Sequence, residues 1–155
     1  SDHRFIFRCH PALPFDRVRD LLSERPEGCA NIEVSARAEI AEDFARASVV
    51  LYRGSSSVLY AILHGLKPVY LHSNGHPDVD PLFQLEGWRE RVSSVDELGA
   101  RLRTFGFTPA GDESGEWRRA VDYVTAYTRP VEAAAVDRFL EAVGLIPATS
   151  AASTA

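Results

Sequence analysis

Two short stretches of the chain carry residue types that could do chemistry. Arg53, Gly54, Ser55, Ser56 and Ser57 put a cation, a glycine and three hydroxyls in a row. They follow the apolar run at residues 48–52 and precede Val58, Leu59, Ile62 and Leu63, which recur at helical spacing. A turn from a strand into a helix leaves the first N–H groups of the helix without partners, and the helix dipole adds positive potential. Such a turn suits an anion. Gly54 would let the backbone come close to a ligand, the serines would add donors, and Arg53 would add charge. The plainer reading is that one serine caps the helix, worth about 1 kcal/mol. Three serines after Arg53 and Gly54 exceed what one cap requires. The spacing is not that of a P-loop.

His10 and Pro11 end a strand-like segment at residues 4–9. An imidazole there could donate to a phosphate, with the fixed ring of Pro11 setting its direction; it could equally be a solvated histidine at a strand end. Arg8 alternates with Phe7 and Cys9 and is as well suited to a surface ion pair. His72, His76, Asp78 and Asp80 are metal-ligand types, but they fall in a loop rich in Asn, Gly, Pro and Asp with no frame to preorganise them. We expect a flexible lip on a crevice there and no metal site. Trp117, Tyr123 and Tyr127 lie at helical spacing and read as core and docking residues. Ser35 and Ser94 show no nucleophile setting.

These segments need elements to position them. Strands are expected at residues 4–9, 31–35, 48–52 and 67–71, with a short fifth at Arg91 and Val92. The run at 48–52 reads as a strand covered on both faces. Helices are expected around Phe15, Val18, Leu21 and Leu22 after Pro14; around Ile40, Ala41, Phe44 and Ala45; and from Val58 to a closing Gly65. A further helix is expected over Val95, Leu98 and Leu102 with Ser94 as its cap, then two more around Trp117–Val124 and Val136–Val143. Strand and helix alternate with short connections. That pattern implies an α/β fold, a three-layer Rossmann-like domain with a parallel sheet of about five strands flanked by helices. Ligands of such sheets sit beyond the carboxyl ends of the strands, where strand order reverses. If the third strand returns beside the first, His10 and Pro11 meet the turn at residues 53–57.

Composition narrows the classes. The chain has 155 residues, 45% hydrophobic and 25% charged, which fits one soluble domain with a real core. We expect that domain at 1–146 and a disordered tail of Ala, Ser and Thr at 147–155. The formal charge of −5 argues against a nucleic-acid surface. No apolar run is long enough to span a bilayer, and the start does not read as a signal peptide. Cys9 and Cys29 have no metal spacing and form no disulfide framework. A cytoplasmic setting is the expectation. The absence of methionine, position 1 included, reads as a domain excised from a longer protein.

The text from Ala38 to Ser57, with Ala61 to Gly65 and Lys67, Pro68 and Val69 after it, resembles the carboxy-terminal, nucleotide-sugar-binding half of GT-B glycosyltransferases. With Phe7, Arg8, Cys9, His10 and Pro11 added, it is most similar to bacterial capsule and surface-polysaccharide transferases with His-Pro and Ser-Ser motifs. The resemblance covers roughly residues 4–105. It implies that His10 and Pro11 contact the donor nucleotide or its phosphate, with His10 a leaving-group stabiliser. Ser55, Ser56 and Ser57 would hold the phosphate, and which two of the three correspond stays open. Many members carry Glu-Ala in the following helix, the glutamate binding ribose; this chain has Tyr60 and Ala61. That departure tilts the implied donor toward a CMP- or CDP-linked sugar. No metal is implied. The implied partners are the donor, a glycan acceptor and an amino-terminal Rossmann-like domain of the same chain that supplies the base. Membrane association would come only through the full-length protein. Isolated, the domain is expected to transfer nothing. Two other readings stay open, a non-catalytic Rossmann-like interaction module and a nucleotide-sugar epimerase-like domain.

Overall fold

The computed structural model describes residues 3–10, 16, 20, 31–75, 77–104 and 115–145. Of the expected first helix only Asp16 and Asp20 are described, both helical. Pro11, Cys29, His76 and the tail from 147 onward lie outside the described residues.

Five short strands form as the aromatic and β-branched runs require. They are β1 (Phe5–Phe7), β2 (Ile32–Val34), β3 (Val49–Tyr52), β4 (Lys67–Leu71) and β5 (Glu90–Val92). All pairings are parallel, so the fold is α/β with helices between strands. The single five-stranded sheet expected above is not what the described residues form. There are two sheets, β1-β2 and β3-β4-β5, with no ladder between β1 and β3 among the described residues.

The helix α1 (Ile40–Phe44) joins them by packing. Its Phe44 packs with Ala61 and Leu66 on the three-stranded side. Its Asp43 faces the two-stranded side, where Arg8 after β1 donates to it at 2.7 Å and Ser35 after β2 at 2.8 Å. Arg8 therefore makes an ion pair, as its alternation with Phe7 and Cys9 allowed.

The order β3-β4-β5 makes β4 the central strand, and it is β4, with Pro68, Val69 and Tyr70 buried, that is covered. The expectation that β3 is covered on both faces is met only at Tyr52, since Val49, Val50 and Leu51 are half-buried. As an edge strand β3 is half-buried up to Tyr52. A proline in a central strand needs a reason. The Lys67 N–H donates to Ser48 on the β3 side, so the nitrogen of Pro68 faces the opposite side, which β5 covers only from Val69 onward.

Helix α2 (Ser57–Leu63) buries Val58, Leu59, Ala61 and Ile62 and ends as its glycine predicts. Gly65 has φ 80°, its N–H donates to Ile62, and the Leu66 N–H reaches back to Ala61. That is a Schellman end, with Leu66 packed on Ala61. Helix α3 (Val95–Thr104) is capped by Ser94, whose hydroxyl accepts the Glu97 N–H at 3.1 Å. Helix α4 (Glu116–Tyr127) lays Ala120 and Val124 on the core, and the Trp117 indole donates to the Ile62 carbonyl at 2.8 Å. Helix α5 (Ala133–Ala142) has no buried residue. The main core gathers Tyr52, Val58, Leu59, Ile62, Tyr70, Leu82, Leu85, Trp88, Ala120 and Val124. Among the described residues, no helix is long and apolar enough to cross a membrane.

Candidate functional site

The turn at residues 53–57 stands at the carboxyl end of β3 and opens α2, as its sequence implied. Gly54 holds φ 67°, a left-handed conformation that costs a residue with a Cβ roughly 1–2 kcal/mol. A Cβ at that position would also stand 3.3 Å from the Val79 carbonyl oxygen. The close approach that Gly54 permits is thus to the chain's own loop after β4.

Beyond it, the hydroxyls of Ser55 and Ser57 are 2.7 Å apart, and the Ser57 N–H reaches Ser55 Oγ at 3.4 Å. Ser55 therefore plays the part of a cap, and Ser56 makes no side-chain cap bond. In the hydroxyl pair one O–H is spent on the other oxygen, which leaves one hydrogen to donate outward. Arg53 is exposed and makes no ion pair among the described residues.

His10 is exposed at the end of β1. It follows a strand of the two-stranded sheet and the serine turn follows one of the three-stranded sheet, so among the described residues no ladder sets the two side by side.

The loop after β4 is more ordered than a lip. Asp80 is its anchor. It accepts the Tyr52 hydroxyl at 2.8 Å, the Leu82 N–H at 2.9 Å and the Arg89 guanidinium at 2.7 Å, and Arg89 also donates to the Leu82 carbonyl. Only 7% of the Asp80 side chain is exposed. Burial, and then the bond to Asp80, push the Tyr52 hydroxyl far above its ordinary pKa, so it stays a donor. The reading of residues 72–81 as a flexible lip is corrected for this part of the loop, because a buried charge must be paired and the pairing fixes the backbone.

A second polar group lies beside it. Tyr70 is the cross-strand neighbour of both Tyr52 and Arg91, its ring edge-on to Tyr52 and under the Arg91 guanidinium. The Tyr70 hydroxyl holds the Asp78 carboxyl below its ordinary value, helped by Arg91, and is itself raised by that bond and by burial. Arg91 pairs with Asp78 at 3.2 Å and lies 2.8 Å from His72 Nδ1. A guanidinium can only donate, so Nδ1 is the bare nitrogen and Nε2–H donates to Asn74 Oδ1 at 3.2 Å.

Sequence reasoning passed over Tyr52, Tyr70, Arg89 and Arg91 as site residues. The available signal was the pair of tyrosines near the ends of adjacent strands, two residues that reach one face only once the register is known. Among the described residues no three His, Cys, Asp or Glu side chains gather in a way that could hold a metal ion; His76 lies outside them.

The fold and this strand-end arrangement define an α/β protein with parallel strands and polar loops at their carboxyl ends. No family model, curated protein or solved structure was found to match the chain.

Proposed function

We propose that this chain is the donor-binding domain of a glycosyltransferase, and that it holds the phosphate of a nucleotide-linked sugar at the turn of Arg53, Gly54, Ser55, Ser56 and Ser57. In this reading the two sheets are parts of one Rossmann-like, three-layer arrangement in which β1 runs beside β3, and His10 with Pro11 completes the phosphate site. The sugar, carried by a CMP- or CDP-linked donor, goes to a surface polysaccharide or another glycan acceptor. The carrying observation is the donor set at the carboxyl end of β3, where Ser55 and Ser57 are half-buried and Arg53 is exposed. One hydroxyl hydrogen of the Ser55 and Ser57 pair remains to be given, and the exposed Arg53 has no carboxylate partner among the described residues.

Displacement at the anomeric carbon breaks its bond to the phosphate oxygen, and negative charge grows on the departing nucleotide. Donors fixed beforehand around that oxygen stabilise the transition state more than the ground state. His10 acts there as a leaving-group stabiliser. The base that takes the acceptor proton comes from an amino-terminal domain of the same protein, so the domain alone binds donor and transfers nothing.

Isothermal titration with CMP, CDP, UDP and GDP tests this. We expect heat with the cytidine nucleotides, and a loss of about tenfold in affinity in Arg53→Ala and in the Ser55→Ala, Ser57→Ala pair, since each removes a charge-assisted donor. No heat with any of the four overturns the reading.

The alternative of a non-catalytic interaction module draws on Tyr60, 59% exposed on α2 in place of a ribose-binding carboxylate. It forecasts no nucleotide binding at all. For an epimerase-like domain, Asp80 is a poor acid–base group because Tyr52, Leu82 and Arg89 already occupy it.

A further inference from the structure

Beside the Asp80 anchor lies a cleft of about 460 Å³, within the range of small-molecule sites. Val79, whose carbonyl packs on Gly54, forms part of its wall, so the cleft and the serine turn adjoin through one residue.

Two aromatic rings line the cleft and stay in water, Phe83 at 64% exposed and Tyr127 at 54%. Neither is loose. Phe83 sits in a tight turn in which Asp80 accepts the Leu82 N–H through its side chain and the Phe83 N–H through its carbonyl. Leu82 and Leu85 are buried on the core side of that turn, which turns Phe83 outward. Tyr127 stacks on Tyr123 with centroids 5.9 Å apart, and the Tyr123 hydroxyl donates to the Pro81 carbonyl at 2.7 Å. One segment, residues 80–83, therefore carries Phe83 on its backbone and supports Tyr127 through Tyr123. Aromatic side chains have only two χ angles and lose little rotamer freedom when something stacks on them.

The polar part of the wall has a different character from a phosphate site. Arg89 and Arg91 are matched by Asp80 and Asp78, so the lining carries no net charge to draw an anion. Asp78 and Arg91 keep 43% and 48% of their side chains exposed and offer a carboxylate acceptor beside a guanidinium donor. A hydroxyl-rich ring with an apolar C–H face needs this combination, with aromatic faces for the C–H side and paired acceptor and donor for the hydroxyls. We propose that this cleft is a binding site for an uncharged pyranose, with Phe83 and Tyr127 as the stacking platforms and Asp78 and Arg91 as the hydroxyl partners. The site stands whether or not a nucleotide binds at the neighbouring turn.

Saturation-transfer NMR on the full chain tests it, with methyl α-D-glucopyranoside, N-acetylglucosamine and maltotriose as probes at millimolar concentration. Transfer to at least one probe is expected, and Phe83→Ala and Tyr127→Ala should each weaken it about fivefold. Should Phe83→Ala lower the melting temperature, Phe83→Leu, which keeps apolar volume and removes the ring, is the arm to read, and it should lose transfer as well. No transfer to any probe, or equal transfer in the variants, overturns the proposal. So does sedimentation showing that the chain dimerises through this face and that the two alanine variants abolish the dimer. A parallel nucleotide titration separates the two readings. CMP binding without saccharide transfer sinks this site alone, and transfer with no binding of CMP, CDP, UDP or GDP sinks the donor reading alone.

Discussion

Asp43 and Asp80 look alike at close range. Each side chain is 7% exposed, and each takes an arginine nitrogen at 2.7 Å. Their surroundings differ. Asp43 belongs to a chain of ion pairs that runs from Arg8 through Asp43 and Arg37 to Glu33 and Arg46, near the surface and beside three-residue strands that are nowhere fully buried. Asp80 sits against Tyr52, Leu82 and the main apolar cluster. Where apolar burial is plentiful, the carboxylate is used to close a loop over the core. In the two short strands no described residue is fully buried and charges do the joining, so the region inherits the sensitivity of charges to salt and proton.

The largest break comes from Asp80→Ala. It strands the Arg89 guanidinium, 20% exposed, and removes the partner of the Tyr52 hydroxyl, so urea unfolding should lose about 3–5 kcal/mol. Asp43→Ala should cost less, about 2 kcal/mol, because Arg8 and Arg37 are already 28% and 29% exposed and can return to water. The two should also differ in place. Amide exchange should rise across Ile32–Val34 in Asp43→Ala while Lys67–Leu71 stays protected; equal loss in both sheets would mean the regions unfold as one and would end the comparison.

Gly54→Ala is the next step down, and it acts on the core side only. A left-handed φ and a carbonyl 3.3 Å from the new Cβ together predict a loss of roughly 1–2 kcal/mol. Thermal melting reads the loss, and exchange across Ile32–Val34 should not change. A neutral result would show that the Val79 loop moves aside at no cost, and then the order attributed to Asp80 would not extend that far along the chain.

How much of this could be read beforehand follows from whether each signal is local. Gly65, Ser94 and the spacing of Val58, Leu59 and Ile62 announced helix ends and faces that the structure repeats, since caps and periodicity are set within a few residues. The turn after β3 was legible for the same reason. The split into two sheets was not, because strand order is decided by contacts between segments far apart. The apolar run at 48–52 looked fully covered, yet only Tyr52 of β3 is buried, because cover depends on segments far away in the chain. Asp80 looked like one more polar loop residue. Its role appears only when Tyr52, 28 positions away, and Arg89 close on it.

The gentlest probe is acid, and its sign follows from the shifts. Hydrogen bonds from Arg46 and Arg37 lower Glu33 from 4.5 to about 2. Burial alone would raise Asp43, but bonds from Arg8, Ser35 and Arg37 outweigh it and hold that carboxyl below 3.8. A carboxyl whose folded pKa is depressed contributes stability above its unfolded pKa and loses it as pH falls toward the folded value. The two-stranded side should therefore keep its protection down to about pH 4.5 and then weaken progressively toward pH 2. Amide protection factors, corrected for the intrinsic rate at each pH, should fall at Ile32–Val34 before they fall at Lys67–Leu71. Glu33→Gln should flatten part of that decline, because the residue no longer takes up a proton. Raised salt at neutral pH should mimic acid on the two-stranded side, since Glu33, Arg37 and Arg46 are all partly exposed and open to screening. Identical decline in both sheets under acid and salt would show that the charges around Asp43 decorate a region held by something else.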